Sequence, residues 1–358
     1  MGRMKGLARG ISDVVIDEYG PDEYLARLSN PDWFQALSCV LAFDWHSSGT
    51  TTVLCGVLKS VLDPDEHGMA AVGGKGSRSR RSLEEIGSLS DPLSLSEVEI
   101  ERLRRSSRLA AKVDSALVQD DFDIYHHSML IAESGQWAVV QQGMNVESRM
   151  ARRYHWQSSR IRDYVEEPHS GIACDQRRER ALNLTSMESR DCRETSLGVA
   201  TGGKEEVMDC MARIRGGPQR SLLQWSPGDI PATVALPPRI NWAAMDSIYD
   251  FEPRNYEELL LVRGVGPSTV RALALVSDLI YGDAPSWKDP VKYSYTLGGK
   301  DGVPYPVDRD AYDETIDTLK NAVADARIGR GEKMKALRRL REFIPPEIQG
   351  RSEPWLMK

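Results

Sequence analysis

Between Leu259 and Leu275 the chain reads Leu-Leu-Leu-Val-Arg-Gly-Val-Gly-Pro-Ser-Thr-Val-Arg-Ala-Leu-Ala-Leu, two apolar helical stretches meeting at a tight Gly-Val-Gly turn. Gly264 and Gly266 can take backbone angles that residues with a Cβ avoid, so the chain can reverse within a few residues. The reversal leaves amide N–H groups free beside the start of the second helix, at the positive end of its dipole. Such a turn can hold an anion with no positive side chain at all. Val265, between the glycines, is expected to point inward and pin the turn to a core. Ser268 and Thr269 then open the second helix within reach of the same anion. The competing reading is an ordinary corner between two helices, with glycines for close packing.

At 358 residues the chain has room for two domains, each with its own core. A net charge of −7 excludes a uniformly basic protein that coats DNA, but not one that holds phosphate with backbone amides. Cys39, Cys55, Cys174, Cys192 and Cys210 lack close paired spacing, so the sequence suggests neither a zinc site nor a disulfide framework. The first twelve residues carry basic side chains without an apolar segment behind them, and no run has the length of a membrane span. The expectation is a cytoplasmic protein without membrane contact, nucleoid-associated when bound.

Helical patterns cover Ile11 to Tyr19, Glu23 to Ser29 and Trp33 to Ala42, broken by Tyr19-Gly20-Pro21. Next comes a polar knot, Asp44-Trp45-His46-Ser47-Ser48-Gly49-Thr50-Thr51-Thr52, before the apolar run Val53 to Leu62. It reads either as a site of chemistry or as an elaborate N-cap. Met69 to Val72 is a short buried strand running into Gly73-Gly74-Lys75-Gly76-Ser77-Arg78-Ser79-Arg80-Arg81. That glycine-rich basic turn suits phosphate contact through Lys75, or is simply solvated. Arg104, Arg108 and Lys112 share one face of a basic helix. Ser128 to Glu133 and Gln136 to Gln142, separated by Ser134-Gly135, form a β-hairpin. Around it gather His126, His127, Gln141, Gln142, Arg152, Arg153, His155, Glu166, Glu167 and His169, a concentration that suggests a site.

Residues Cys174 to Gly217 alternate charges and read as a solvated helical region. The fold class is therefore α+β: a mixed domain over 1–218 with the hairpin and a polar His/Gln/Arg cluster, a linker over 219–239, an all-helical domain over 240–345, and a tail over 346–358.

The stretch from Val262 to Arg309 resembles base-excision DNA glycosylases of the helix-hairpin-helix superfamily. In these an apolar-Gly-apolar-Gly hairpin is followed by a Gly/Pro-rich loop and a Val-Asp at a helix start, here Val307-Asp308. The resemblance implies that Gly264, Val265 and Gly266 grip the DNA backbone and that Asp308 stabilises positive charge on the sugar as a flipped base leaves. Ser268 stands where lyase-competent members carry a nucleophilic Lys, which implies a monofunctional enzyme. By its own position, Asp308 is an N-cap.

A second resemblance runs nearly the whole length. Phe34-Gln35-Ala36-Leu37, Phe43-Asp44-Trp45-His46-Ser47-Ser48-Gly49, Gly73-Gly74-Lys75-Gly76, Val139 to Asn145, Ala151 to Trp156 and Glu166-Glu167-Pro168-His169 are similar to the family catalogued as domain of unknown function 763, found mainly in archaea and thermophilic bacteria. Members of that family tend to carry a further Gly/Pro-rich segment before the first helix.

Two functions follow as expectations. One is an enzyme of DNA repair or processing, acting on damaged or structured double-stranded DNA. It is either the glycosylase with Asp308, or a nuclease in which Asp44, His46, Glu166, Glu167 and His169 hold Mg2+ or act as acid and base, with Lys75 and Arg153 on the phosphate. Beyond that Mg2+, no cofactor is expected. The other is a binding module without catalysis, in which Gln141, Gln142, Arg152 and Arg153 meet DNA, or RNA in its place.

Overall fold

The computed structural model describes residues 2–41, 49–216, 237, 239–293 and 309–343. The chain opens with α1 (Gly2–Tyr19), α2 (Pro21–Leu28), α3 (Pro31–Val40), α4 (Gly49–Val61) and a single turn α5 (Pro64–His67). Local chemistry sets these boundaries. Gly20, at φ 83°, ends α1, and Pro21 starts α2. The Asn30 carboxamide accepts from the amides of Asp32 and Trp33 at the head of α3.

The middle of the chain holds β1 (Met69–Lys75), α6 (Ser82–Gly87), α7 (Glu97–Ala116), β2 (Val118–Gln119), β3 (Asp123–Ala132), β4 (Trp137–Asn145), β5 (Met150–Gln157), β6 (His169–Ala173) and β7 (Leu182–Asn183). A reciprocal cap between Ser96 and Glu99 begins α7. Helices α8 (Arg190–Thr201), α9 (Lys204–Gly216), α10 (Trp242–Phe251), α11 (Tyr256–Leu261), α12 (Pro267–Val276), α13 (Arg309–Asp325) and α14 (Arg330–Phe343) complete the described chain.

Five strands form one antiparallel sheet in the order β1-β3-β4-β5-β6, and β2 pairs with β7 apart from it. The expected hairpin is present as β3 and β4, turning at Gly135 with φ 74°; β3 begins earlier, at Asp123, and β4 runs on to Asn145, while each strand stops one residue short of its expected end at the turn. Alternation divides its side chains. Met129, Ile131, Val139 and Trp156 join a core with α7 to α12, while Leu130, Ala132, Ala138 and Val140 join a second core with α1 to α4, α13 and α14. The sheet is therefore a middle layer with helices on both faces.

This packing corrects two expectations. The helices after residue 240 do not form a domain with a core of their own: Leu259, Val270 and Leu273 share a cluster with Leu103 and Met129, and Leu319 and Val323 share one with Ile11 and Leu37. A helical pattern shows which face is apolar but not what that face meets. The region from Cys174 to Gly216 is not merely solvated either, since Cys192, Val199, Ala200, Val207 and Met211 are buried in the first core. All five cysteines are buried and free.

Candidate nucleic-acid interface and the polar sheet interior

The glycine turn sits between α11 and α12 at the protein surface. Gly264 has φ 91°, and a Cβ there would lie 2.8 Å from Asn241 Nδ2 and 3.2 Å from the Ala244 Cβ, so the position needs glycine. Gly266 has extended backbone, φ −155°, and a Cβ there would meet nothing within 4 Å among the described residues, so this position, unlike Gly264, does not require glycine. Val265 is buried in the core, as its placement between glycines implies.

The turn is held from below. Lys112 of α7 donates from Nζ to the Val265 carbonyl, and Gln119 Nε2 donates to the Pro267 carbonyl at 3.0 Å. Asn241 Nδ2 donates to the Gly264 carbonyl at 3.2 Å. Burial lowers the Lys112 pKa from its ordinary value.

The amides divide unequally. The Val265 N–H is not free, since it donates to the Val262 carbonyl at 3.2 Å. The amides of Gly264, Gly266 and Ser268 have no acceptor among the described residues, and no side chain caps α12. Gly264 and Ser268 are exposed and Gly266 half-buried, whereas Thr269, expected beside them, is buried. Arg263 is exposed next to the turn, and no carboxylate pairs with it among the described residues. The result is a group of unpaired N–H donors on exposed or half-buried residues at a helix start, the kind of arrangement that accepts a phosphate oxygen.

Residues 1–307 match the model of the family described as protein of unknown function (DUF763). The chain belongs to this family. No curated protein and no solved structure matches it. The matched span contains the whole sheet and the α11–α12 turn of this DUF763 member, and ends just before α13.

The polar strands present the opposite arrangement. Arg152, expected to meet nucleic acid, is fully buried: its Nη1 lies 2.6 Å from Asp120 Oδ2 and its Nη2 lies 2.7 Å from Asp289 Oδ2. The Tyr154 hydroxyl donates to the same Asp120 oxygen at 2.8 Å. Burial raises the Asp120 pKa, and Arg152 and Tyr154 act against that rise. Arg153 is buried over the Phe34 ring and donates to His155 Nε2, to the Gln35 side chain and to the Pro31 carbonyl. These guanidinium groups hold the interior together, so neither presents a hydrogen-bonding edge at the surface.

Gln141 belongs to a buried chain of hydrogen bonds on the face of the sheet toward α7. Asp114 Oδ1 lies 2.5 Å from His169 Nε2, and its Oδ2 accepts from Trp156 Nε1 at 3.0 Å and from Gln141 Nε2. Because Gln141 gives its NH2 group to that carboxylate, its Oε1 must accept from His127 Nδ1, at 2.9 Å. His127 Nε2 is then the bare nitrogen and accepts from the Ser107 hydroxyl at 2.8 Å. Burial lowers the His127 pKa, in keeping with a neutral ring.

Ser107 and Asp114 were not singled out from the sequence, whereas His127 was. A signal was present: Leu103, Ser107, Ala110, Asp114 and Leu117 follow the three-four spacing of the buried stripe of α7, with Ser and Asp at two of its apolar positions.

The other expected site residues fall as follows. His169 keeps a slight exposure, 8% of its side chain, and is joined to Asp114. Glu166 is occupied by Arg190 and Arg193, while the neighbouring Glu167 is exposed with a left-handed φ of 45°. Gln142 is buried and donates to the Tyr125 hydroxyl. Lys75 is exposed, its Nζ 5.6 Å from the Tyr125 ring centre. Asp44, His46 and Asp308 lie outside the described residues. Among the described residues no group of three or more His, Cys, Asp or Glu side chains is placed to hold a metal. No described helix is long and apolar enough to cross a membrane.

Proposed function

We propose that this DUF763 member binds DNA through the α11–α12 turn, as a helix-hairpin-helix that holds one phosphate of the backbone. The observation that carries the reading is the set of unpaired amides at Gly264, Gly266 and Ser268, on a turn held by a buried Val265 and by Lys112 and Gln119 beneath. The Lys112 ammonium adds positive charge at the base of the turn. Sequence preference should be low, because contacts to phosphate carry no information about bases.

Gly266→Glu tests this cleanly. The extended backbone and open space at Gly266 accept a side chain without strain, and the new carboxylate stands where a phosphate oxygen should. Duplex affinity, read by fluorescence anisotropy near physiological salt, should fall about tenfold or more, a change of at least about 1.4 kcal/mol. Unchanged affinity in a folded variant overturns the reading.

A second reading makes the protein an enzyme of DNA repair or processing. The observation in its favour is the His169–Asp114 pair, an imidazole oriented by a buried carboxylate and reaching the surface beside the strained Glu167. Incubation with damaged, mismatched and branched duplexes, with and without Mg2+, separates the chemistries. Base release leaves an abasic strand, a nuclease cuts without alkali, and a binding module leaves every substrate intact.

A further inference from the structure

On the side of the sheet away from the hairpin network, α4 and the end of β1 enclose a cavity of about 480 Å³. Its wall includes Lys59, Lys75, Arg78, Ser128 and the Gly73-Gly74 backbone. A volume of this size suits a small-molecule ligand.

The wall is built, not incidental. Glu85 Oε2 accepts the Gly73 amide and the Lys59 ammonium, each at 2.6 Å, and Lys59 also donates to the Gly73 carbonyl at 2.9 Å. This clamp fixes the glycine pair and cancels the Lys59 charge. Gly73 has φ 82°, and a Cβ there would fall 2.3 Å from the His127 carbonyl oxygen, so no other residue fits. The charges of Lys75 and Arg78 are not cancelled: among the described residues no carboxylate pairs with either. Positive charge is thus held at the mouth of the cavity by a backbone bend that only glycine permits.

His126 supplies the second, independent observation. It is 1% exposed, and neither ring nitrogen has a hydrogen-bond partner among the described residues. It stands directly opposite Lys75 in the β1–β3 register and two residues before Ser128 on the same face, so both of its flanking neighbours belong to the cavity wall. A buried polar ring with two idle nitrogens is costly unless something bonds to it. Burial, helped by His127 and Lys75, pushes its pKa down to about 4, so at neutral pH it offers one donor and one acceptor.

We propose that this cavity binds a phosphate monoester of mononucleotide size, with the phosphate on Lys75 and Arg78 and a polar heterocycle against Ser128, in front of the buried His126 ring that lies behind the wall. The site is separate from the α11–α12 turn and does not depend on it. The same chemistry is carried by a free mononucleotide and by the terminal nucleotide of a 5′-phosphorylated strand.

Calorimetric titration of the full chain with inorganic phosphate, adenosine 5′-monophosphate and short single strands with and without a 5′-phosphate tests the assignment. The monophosphate should bind at least about tenfold more tightly than inorganic phosphate, with Kd below about 1 mM. The double substitution Lys75→Ala/Arg78→Ala lies on exposed side chains and should weaken binding about tenfold or more without changing the thermal midpoint. His126→Phe should reduce the preference for the nucleotide over inorganic phosphate. Tighter binding of the free monophosphate identifies a mononucleotide as the ligand; a strand that binds only when 5′-phosphorylated identifies a strand end. Absence of binding by both, or binding that Lys75→Ala/Arg78→Ala leaves unchanged, overturns the proposal.

Discussion

The turn at Gly264–Ser268 and the strands β4 and β5 are the two regions the sequence offers for nucleic-acid contact, and they treat their polar groups in opposite ways. The turn leaves backbone donors unpaired near the surface, with Arg263 beside them and Lys112 beneath. The strands take Arg152, Arg153, Gln141 and His155 inside and bond each to internal groups, with only Arg152 Nε and His155 Nδ1 among these side chains left without a partner among the described residues. A dense run of Arg, His and Gln in a strand can thus mark an ordered interior, while a surface able to meet a polyanion can be made from glycine and peptide nitrogen.

The strongest way to break this contrast is to remove a guanidinium from the interior. Arg152→Ala leaves the Asp120 and Asp289 carboxylates buried without their counter-charge, and the loss of unfolding free energy should be about 3–5 kcal/mol. Urea denaturation measures it. A loss below about 1 kcal/mol would show that Arg152 is not the internal tie its geometry describes.

Acidification should come next. Burial lowers the pKa of His126 to about 4 and lowers those of His127 and His155 as well, against an ordinary value of 6.5. Above about pH 6.5 all three are neutral whether the chain is folded or not. As pH falls from 6.5 toward 4, the unfolded chain takes up protons that the folded chain refuses, so these histidines lower stability through that window. Each contributes at most about 1.4 kcal/mol per pH unit. Urea midpoints at pH 7.5, 6 and 5 should decrease in order, and His126→Leu should flatten the decline. A flat profile in the parent protein would mean that the interior accepts charge after all.

Asp114→Asn is a gentler probe of the same interior. Asparagine keeps one acceptor oxygen but turns an NH2 group toward donors of His169, Gln141 or Trp156, at a cost of about 1–3 kcal/mol. The variant should also move the ring resonances of His169 in NMR spectra, because the imidazole loses its carboxylate partner. An unmoved His169 resonance would place the coupling elsewhere.

Much of the fold could be read from residues because the signals are local. Tyr19-Gly20-Pro21, the Ser134-Gly135 turn and the Gly-Val-Gly turn each concern a few consecutive residues, and all three appear where expected. What α10 to α14 pack against was not legible, since a helix stripe does not name its partner across a sheet. The site divided along the same line. Gly264 and Val265 follow from backbone rules, whereas Gly266, expected to need glycine, sits in extended backbone that any residue adopts. The pairing of Arg152 with Asp120 and Asp289, 32 and 137 residues away, depends on contacts that no spacing encodes. Ser107 and Asp114 lay between these cases, visible as polar intrusions in an apolar stripe but meaningful only once β3 and β4 face them.

The finest test separates the two glycines of the turn. Gly264 is at φ 91° with Asn241 and Ala244 against it, so Gly264→Ala combines backbone strain with a steric push and should cost about 1–3 kcal/mol. Gly266 has extended backbone and open space, so Gly266→Ala should leave stability within about 0.5 kcal/mol. Since alanine keeps the amide and adds no charge, Gly266→Ala should also leave duplex affinity close to that of the parent, while Gly266→Glu at the same place weakens it. Equal losses of affinity from alanine and glutamate would assign the effect to bulk at the turn, and the reading of its amides as a phosphate grip would fail even though both proteins were folded.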